Sequence, residues 1–205
     1  MELSWNASVN TLHSCLDSLE ITGESSETFA HDHGFSLLSK WVGELRGHRK
    51  TMYFIGNGAS ASMASHYSAD MAKNGHLHTQ VFSDLSLITA ISNDIGYEDV
   101  FSIPLGRRAD RGDMLVAISS SGSSPNILKA VETALRIDLT VITLSAMATD
   151  NPLRQMGSLN FYIPAGTYGH AETGHAAILH HLMDIVEKDT APPARPNQSN
   201  ANDHG

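Results

Sequence analysis

The sequence predicts an α/β fold: a mainly parallel sheet with helices on both faces, preceded by two N-terminal helices. Three observations carry this. From Thr51 onward, short apolar runs alternate with stretches of helical periodicity. Clusters of Gly, Asn and Ser separate the two kinds of segment, and successive runs lie far enough apart to hold a crossover helix.

In chain order, the first 20 residues place Trp5, Val9, Leu12, Leu16 and Leu19 on one helical face. Gly23 through Ser26 reads as a break, and a second helix is expected from about Thr28 to Arg46, with Phe35, Leu38, Trp41, Val42 and Leu45 inward. Met52–Ile55 is a short strand ending in Gly56-Asn57-Gly58, and Ser60 to Lys73 is helical with Asn74-Gly75 as its stop. A brief strand near Gln80–Phe82 precedes a helix from Leu85 to Ile91. After the Asn93–Gly96 break, Tyr97–Arg108 is helical, with Pro104 as a kink or stop. Met114–Ile118 is a buried strand, and Pro125–Arg136 a helix with Pro in its first turn. Strands Thr140–Leu144 and Asn160–Ile163 follow, then a long helix over Ala171–Glu187. The segment 191–205 has no apolar periodicity and is expected to be disordered.

Ligands of such sheets bind beyond the carboxyl ends of the strands. Two polar turns fall there, Gly56–Ser60 and Ser119–Ser124. In the second, small residues let the backbone approach a ligand, and hydroxyls converge with the free N–H groups of the next helix. This suits an anion such as phosphate. The turn lacks the lysine of a nucleotide P-loop, so no nucleotide cofactor is expected. A polar loop with a Ser N-cap is the plainer alternative, and Ser60 likewise suits a simple cap.

Thirteen basic residues against 22 acidic ones give a formal net charge of −9, which argues against nucleic acid or an anionic membrane as the main partner. An anionic metabolite stays possible, because backbone N–H groups bind phosphate locally. No apolar run approaches the roughly 20 residues of a membrane span, and Glu2 stands where a signal peptide would be basic, so the expected location is cytoplasmic. The single cysteine, Cys15, reads as a small core or interface residue. The 12 histidines are scattered and form no tag.

Three strings, Ile-Gly-Asn-Gly-Ala-Ser (55–60), Ile-Ser-Asn-Asp-Ile-Gly-Tyr (91–97) and Ala-Ile-Ser-Ser-Ser-Gly-Ser-Ser-Pro-Asn-Ile-Leu-Lys-Ala-Val-Glu (117–132), resemble the SIS, or sugar isomerase, domain family. Within it they are similar to the phosphoheptose isomerase branch. The resemblance covers residues 1–190, the helical region 1–46 included, and implies one domain with a flavodoxin-like, five-stranded parallel sheet. It further implies a homotetramer with active sites between subunits, and a phosphorylated sugar such as sedoheptulose 7-phosphate as substrate. By position Asn57, Ser60, Ser119, Ser120, Ser121 and Ser124 match the sugar-phosphate-binding residues, and Asp94 a polar residue near the sugar.

Interconverting a ketose and an aldose moves a proton between adjacent carbons through an enediol, which needs an acid–base pair or a polarising metal. His66 and Asp70 are four apart on one helix and share a face. The resemblance implies that Asp70, at the position of a glutamate, and His180 are the catalytic pair. It also implies a zinc or other divalent-metal set of His66, Asp70, His180 and Glu172. Glu172, where a glutamine is usual, counts with the substrate-binding residues too. Lys73-Asn74-Gly75-His76 stands where that branch carries arginines. His170, His175 and His181 compete for the ligand role, and Glu172 and His180 are separated by a helical rise of about 12 Å. An exposed ion pair at His66–Asp70 on a His-rich surface is the alternative. At the level of function the alternatives are a non-catalytic phosphosugar sensor and a protein-binding module.

Overall fold

A computed structural model describes residues 4–190; the expected disorder of 191–205 lies outside the described residues. Its helices are α1 (Trp5–Asp17), α2 (His31–Gly47), α3 (Ala59–Lys73), α4 (Leu85–Asp94), α5 (Ser102–Arg108), α6 (Pro125–Arg136) and α7 (Tyr168–Thr190). Its strands are β1 (Glu20–Gly23), β2 (Thr28–Phe29), β3 (Thr51–Gly56), β4 (His78–Val81), β5 (Met114–Ser119), β6 (Thr140–Ala146) and β7 (Leu159–Ile163).

The five strands expected from the sequence pair in parallel, in the order β7-β6-β5-β3-β4. The sheet nevertheless has seven strands and is mixed. Beyond β7, β1 adds antiparallel with Ile21 opposite Phe161, and β2 pairs antiparallel with β1. The segment read as a helix end and a break is therefore an edge hairpin. It was hidden because β1 offers only one apolar side chain, Ile21, between polar neighbours, too little to register as alternation. The second helix accordingly begins at His31, not Thr28. The stretch 97–108 is also split: a 3₁₀ turn at Tyr97–Asp99 precedes α5, where Pro104 sits in the first turn.

The central strands are apolar on both faces, as covered parallel strands should be. Met52, Phe54, Val116 and Ile118 face α2, α3 and α7, meeting Phe35, Tyr67 and Ile178. Their neighbours Tyr53, Ile55, Leu115 and Ala117 face the other way and meet Ile127, Val131 and Leu105 of α5 and α6. Among the described residues no helix is long and apolar enough to cross a membrane. Trp5 is 80% exposed and Val9 44%, so the first half of α1 presents apolar side chains to solvent, while Cys15 is buried at its other end.

Ile21 is wholly buried under α2, which makes the hairpin part of the core. Ile21→Ala is expected to cost about 2–4 kcal/mol. Denaturant unfolding checks this; a loss below about 0.5 kcal/mol would mean that the edge hairpin is not anchored by this residue.

Candidate functional site

The strand order reverses between β3 and β5, which lie side by side with Gly56 opposite Ile118. Their crossovers leave to opposite faces of the sheet, α3 to one and α6 to the other. A crevice opens between the two turns at the carboxyl ends, where open α/β sheets bind ligands.

A cavity of about 170 Å³ occupies it, lined by Asn57, Ser60, Ile118, Ser119, Ser120, Ser121, Ser124, Tyr168 and Glu172. Three helices begin at its wall: α3 through Asn57 and Ser60, α6 through Ser124, and α7 through Tyr168 and Glu172. Helix N-termini carry free N–H groups and a partial positive charge, so three of them bordering one volume favour an anion there. Two backbone constraints shape the turns. A Cβ on Gly56 would lie 2.6 Å from the Ser60 backbone, so only glycine lets the strand end approach the first turn of α3. Gly122 has φ of 63°, and the space its Cβ would need is filled by the Asn151 amide. Asn151 in turn donates to the Ala146 and Ala148 carbonyls, while Leu153 N–H donates to Gly122. The serine turn is thereby fastened to the loop after β6.

The hydroxyls are left available. Ser124 is the N-cap residue of α6 by backbone position, but its side chain makes no capping hydrogen bond. It lies 3.4 Å from the Ser119 hydroxyl instead. The N-cap of α3 is Gly58, so Ser60 stands inside the helix, with its side chain on the cavity. The simple-cap alternative therefore fails for both serines. Ser123 is exposed and outside the lining.

Farther along the α3–α7 contact is a second cluster. His66 Nε2 lies 3.3 Å from Asp70 Oδ2. The His66 and His180 ring centroids are 5.7 Å apart, with Tyr67 edge-on to both, at 5.0 Å and 4.9 Å. The Tyr67 hydroxyl donates to the Ala176 carbonyl at 2.9 Å. Burial, with the Asp70 charge adding, pushes that phenol up to about 12, so it stays neutral and acts as a spacer.

The four residues expected to share a metal are not all together. His66, Asp70 and His180 meet, whereas Glu172 lies two helical turns away in the serine cavity. Among the described residues no three His, Cys, Asp or Glu side chains are arranged to hold a metal ion. The donor types suit zinc; their arrangement in one chain does not. The competing histidines are engaged elsewhere. His170 bonds the Ser8 and Thr167 hydroxyls at 3.1 Å each, and His181 packs edge-on against Phe35. His175 is fully buried, with no hydrogen-bond partner for either ring nitrogen. Burial drives its pKa down to about 4.

Asp94 is exposed at the end of α4, accepts from the Asn93 amide and does not line the cavity. Two contributors were not singled out from the sequence. Tyr168 lines the cavity. Asn126, inside the serine-turn string, pairs its amide with that of Asn57. A signal for Asn126 did exist, since it is the polar residue beside Ile127 at the start of a strongly amphipathic helix. A second cavity, of about 270 Å³, shares Asn57 but is walled mainly by Phe54, Val81, Phe82, Ile88 and Phe101, an apolar lining poorly suited to phosphate.

Comparison with known proteins agrees with this layout. Residues 40–146 match the SIS domain family model. The phosphoheptose isomerase of Geobacter metallireducens is 35% identical over 154 residues, 72% of this chain and 80% of that protein. That of Shewanella denitrificans is 33% identical over 154 residues, 70% and 77% of the two chains. Among solved structures, a phosphoheptose isomerase from Francisella tularensis superposes with a TM-score of 0.77 at 22% identity, covering 90% of this chain and 94% of that one. One from Neisseria gonorrhoeae gives 0.75 at 24% identity, covering 89% and 94%.

Two outcomes are expected from the site. The Glu172 carboxylate stands in a cavity built for an anion, so Glu172→Gln should tighten inorganic phosphate binding severalfold, read by calorimetry; unchanged affinity would place phosphate away from Glu172. His175 stays neutral in the folded protein down to about pH 4, whereas in the unfolded chain it takes up a proton near 6.5. Between those values the unfolded state binds more protons, so stability falls as pH drops, by roughly 3 kcal/mol in all. Thermal melts from pH 7 to 4 should show a loss that His175→Gln reduces; parallel curves would contradict it.

Proposed function

This chain belongs to the phosphoheptose isomerase branch of the SIS domain family, and from that membership we propose that it interconverts sedoheptulose 7-phosphate, or a closely similar sugar phosphate, with its aldose. The observation that carries the reading is the pairing of two sites along α3 and α7: a phosphate-sized cavity at three helix N-termini, and the His66–Asp70–His180 cluster farther along the same helices. Ser60 and Asp70 are ten residues apart on α3, a rise of about 15 Å, so a long sugar held by its phosphate directs its other end toward the acid–base groups. In a ketose 7-phosphate the reacting carbons are at that far end.

In the proposed reaction Asp70 removes a proton from the hydroxymethyl carbon beside the ketone. His180 donates to the carbonyl oxygen as the enediol forms. Return of the proton to the former ketone carbon and loss of the other hydroxyl proton give the aldehyde. Ser119, Ser120, Ser121, Ser124, Ser60 and Asn57 hold the phosphate end, and Glu172, in the same cavity, faces sugar hydroxyls. His66 orients Asp70 through their 3.3 Å contact. The donor arrangement in one chain gives no support to a zinc site, so no step is assigned to a metal.

Assembly as a homotetramer belongs to the same proposal, supported by the apolar face that α1 exposes at Trp5 and Val9. So does a cytoplasmic location, since a charged sugar phosphate does not cross a bilayer unaided.

The test is turnover of sedoheptulose 7-phosphate, followed by NMR, with metal-stripped and zinc-supplied protein. Equal rates are expected. Asp70→Asn and His180→Ala should each lower kcat by a factor on the order of 10²–10⁴ with KM little changed. Zinc-dependent turnover would require a further donor to join the cluster. An inert wild type would favour a non-catalytic phosphosugar sensor or protein-binding module.

A further inference from the structure

The Asn57 amide is held more tightly than a lining residue requires. Its Nδ2 donates to Asn126 Oδ1 and its Oδ1 accepts from Asn126 Nδ2, both at 2.9 Å. The Tyr97 hydroxyl donates to the same Oδ1 at 3.2 Å. An amide offers two acceptor positions and two hydrogens. Both acceptor positions of Asn57 are thus taken, and so is one hydrogen. A single N–H is left.

The partners are themselves fixed by one helix. Asn126 is 2% exposed at the start of α6. One turn later Lys129 reaches the 3₁₀ turn that carries Tyr97, donating to Asp99 Oδ2 at 2.8 Å and Glu98 Oε1 at 3.0 Å. Asp99 also accepts from the Ser102 hydroxyl at 2.9 Å. These bonds to Lys129 and Ser102 hold its carboxyl below the usual carboxylate range, so the anchor stays charged. The contacts close a ring: Asn57 to Asn126, along α6 to Lys129, across to Asp99, back through Tyr97 to Asn57.

We propose that Asn126, Tyr97 and Lys129 are positioning residues that make Asn57 a donor only, presenting one N–H to an acceptor oxygen of the sugar phosphate. None of the three lines the serine cavity; each acts through Asn57. The head-to-head amide pair alone does not set the direction, because turning both amides over preserves it. In the orientation the structure holds, the Tyr97 hydroxyl fills the remaining acceptor position of Asn57 Oδ1, which leaves only an N–H unspent, and Lys129 keeps the turn that carries Tyr97 in place. This inference rests on the isomerase reading above.

The experiment compares KM, kcat and melting temperature for sedoheptulose 7-phosphate in the wild type and four variants. In Asn126→Asp a carboxylate oxygen replaces the donor that faces Asn57 Oδ1, so KM should rise about tenfold or more while kcat changes by less than about threefold. Tyr97→Phe removes only the hydroxyl of a half-exposed ring, and keeps the test alive if Asn126→Asp fails to fold; KM should rise severalfold. Lys129→Met should raise KM similarly, and Tyr97→Phe/Lys129→Met should add nothing beyond the larger single effect, since both act through one contact. Lower melting temperatures with unchanged KM in Asn126→Asp and Tyr97→Phe would overturn the proposal and reduce the pair to a staple between the β3 turn and α6. Additive KM effects in the double variant would remove Lys129 from it. A wild type that neither turns over nor binds the sugar phosphate would overturn the isomerase reading, and this inference with it.

Discussion

The site depends on a constraint of chain path: β3 and β5 are neighbours whose crossovers cannot share one face of the sheet. The connection from β3 to β4 runs one way along the sheet and that from β5 to β6 the other, and right-handed crossovers in opposite directions must lie on opposite faces. Here α3 takes the Met52/Phe54 side and α6 the Tyr53/Ile55 side. The turns that precede them must diverge, and the gap between is floored by Ile118 at the end of β5. Helix α7 then packs beside α3 and brings its own N-terminus to the gap. None of this needs a ligand. The anion site follows from covering both faces of a parallel sheet.

That constraint explains why the serine turn was legible and other features were not. Ser119 to Ser124 announces itself because a run of small polar residues follows an all-buried strand, and every step of that inference is local. His66 and Asp70 were likewise readable as an i,i+4 pair. Their meeting with His180 was not, since it depends on the packing of two helices more than 100 residues apart in sequence; it entered by resemblance. Glu172 shows the converse. Eight residues from His180 on one helix, it belongs to a different level of the α3–α7 contact, and helix rise alone anticipates the separation. Asp94 was placed by its string and lies at an exposed helix end. The β1–β2 hairpin escaped because a single inward isoleucine carries no period. Its partner strand, not its own sequence, makes it a strand.

The two clusters divide the chemistry. The serine cavity is rigid: Asn151 occupies the space beside Gly122, and the Asn57–Asn126 pair ties one turn to the other helix. In the other cluster His66 and His180 are exposed and Asp70 is half-buried, with the buried Tyr67 ring beside both histidines. A base that must exchange protons with a sugar in water benefits from access, whereas a phosphate grip benefits from fixed dipoles that need no reorganisation. In the proposed reaction such an exposed acid–base pair also invites completion by another surface. The proposed tetramer would give the uncovered apolar side chains of α1, which packs against α7, a surface to cover them.

An acidic chain holding a dianion is then a question of range. Exposed charges farther away than about 10 Å are largely screened at physiological salt, so most of the net charge of −9 has little effect on a ligand in the cavity. Inside the cavity the nearest groups decide, and these are N–H dipoles from three helices and hydroxyls that are not spent on capping. The negative charge close enough to oppose them is Glu172. It stands in the second turn of α7, past the N–H groups that end the helix, so its charge is set against the phosphate without a matching share of the helix dipole. Binding is therefore weaker than three dipoles alone would give. In return the carboxylate can accept from the hydroxyls of a sugar attached to the phosphate, which a bare inorganic phosphate does not offer. The same residue that weakens the grip on phosphate thus favours the phosphorylated sugar over the free ion.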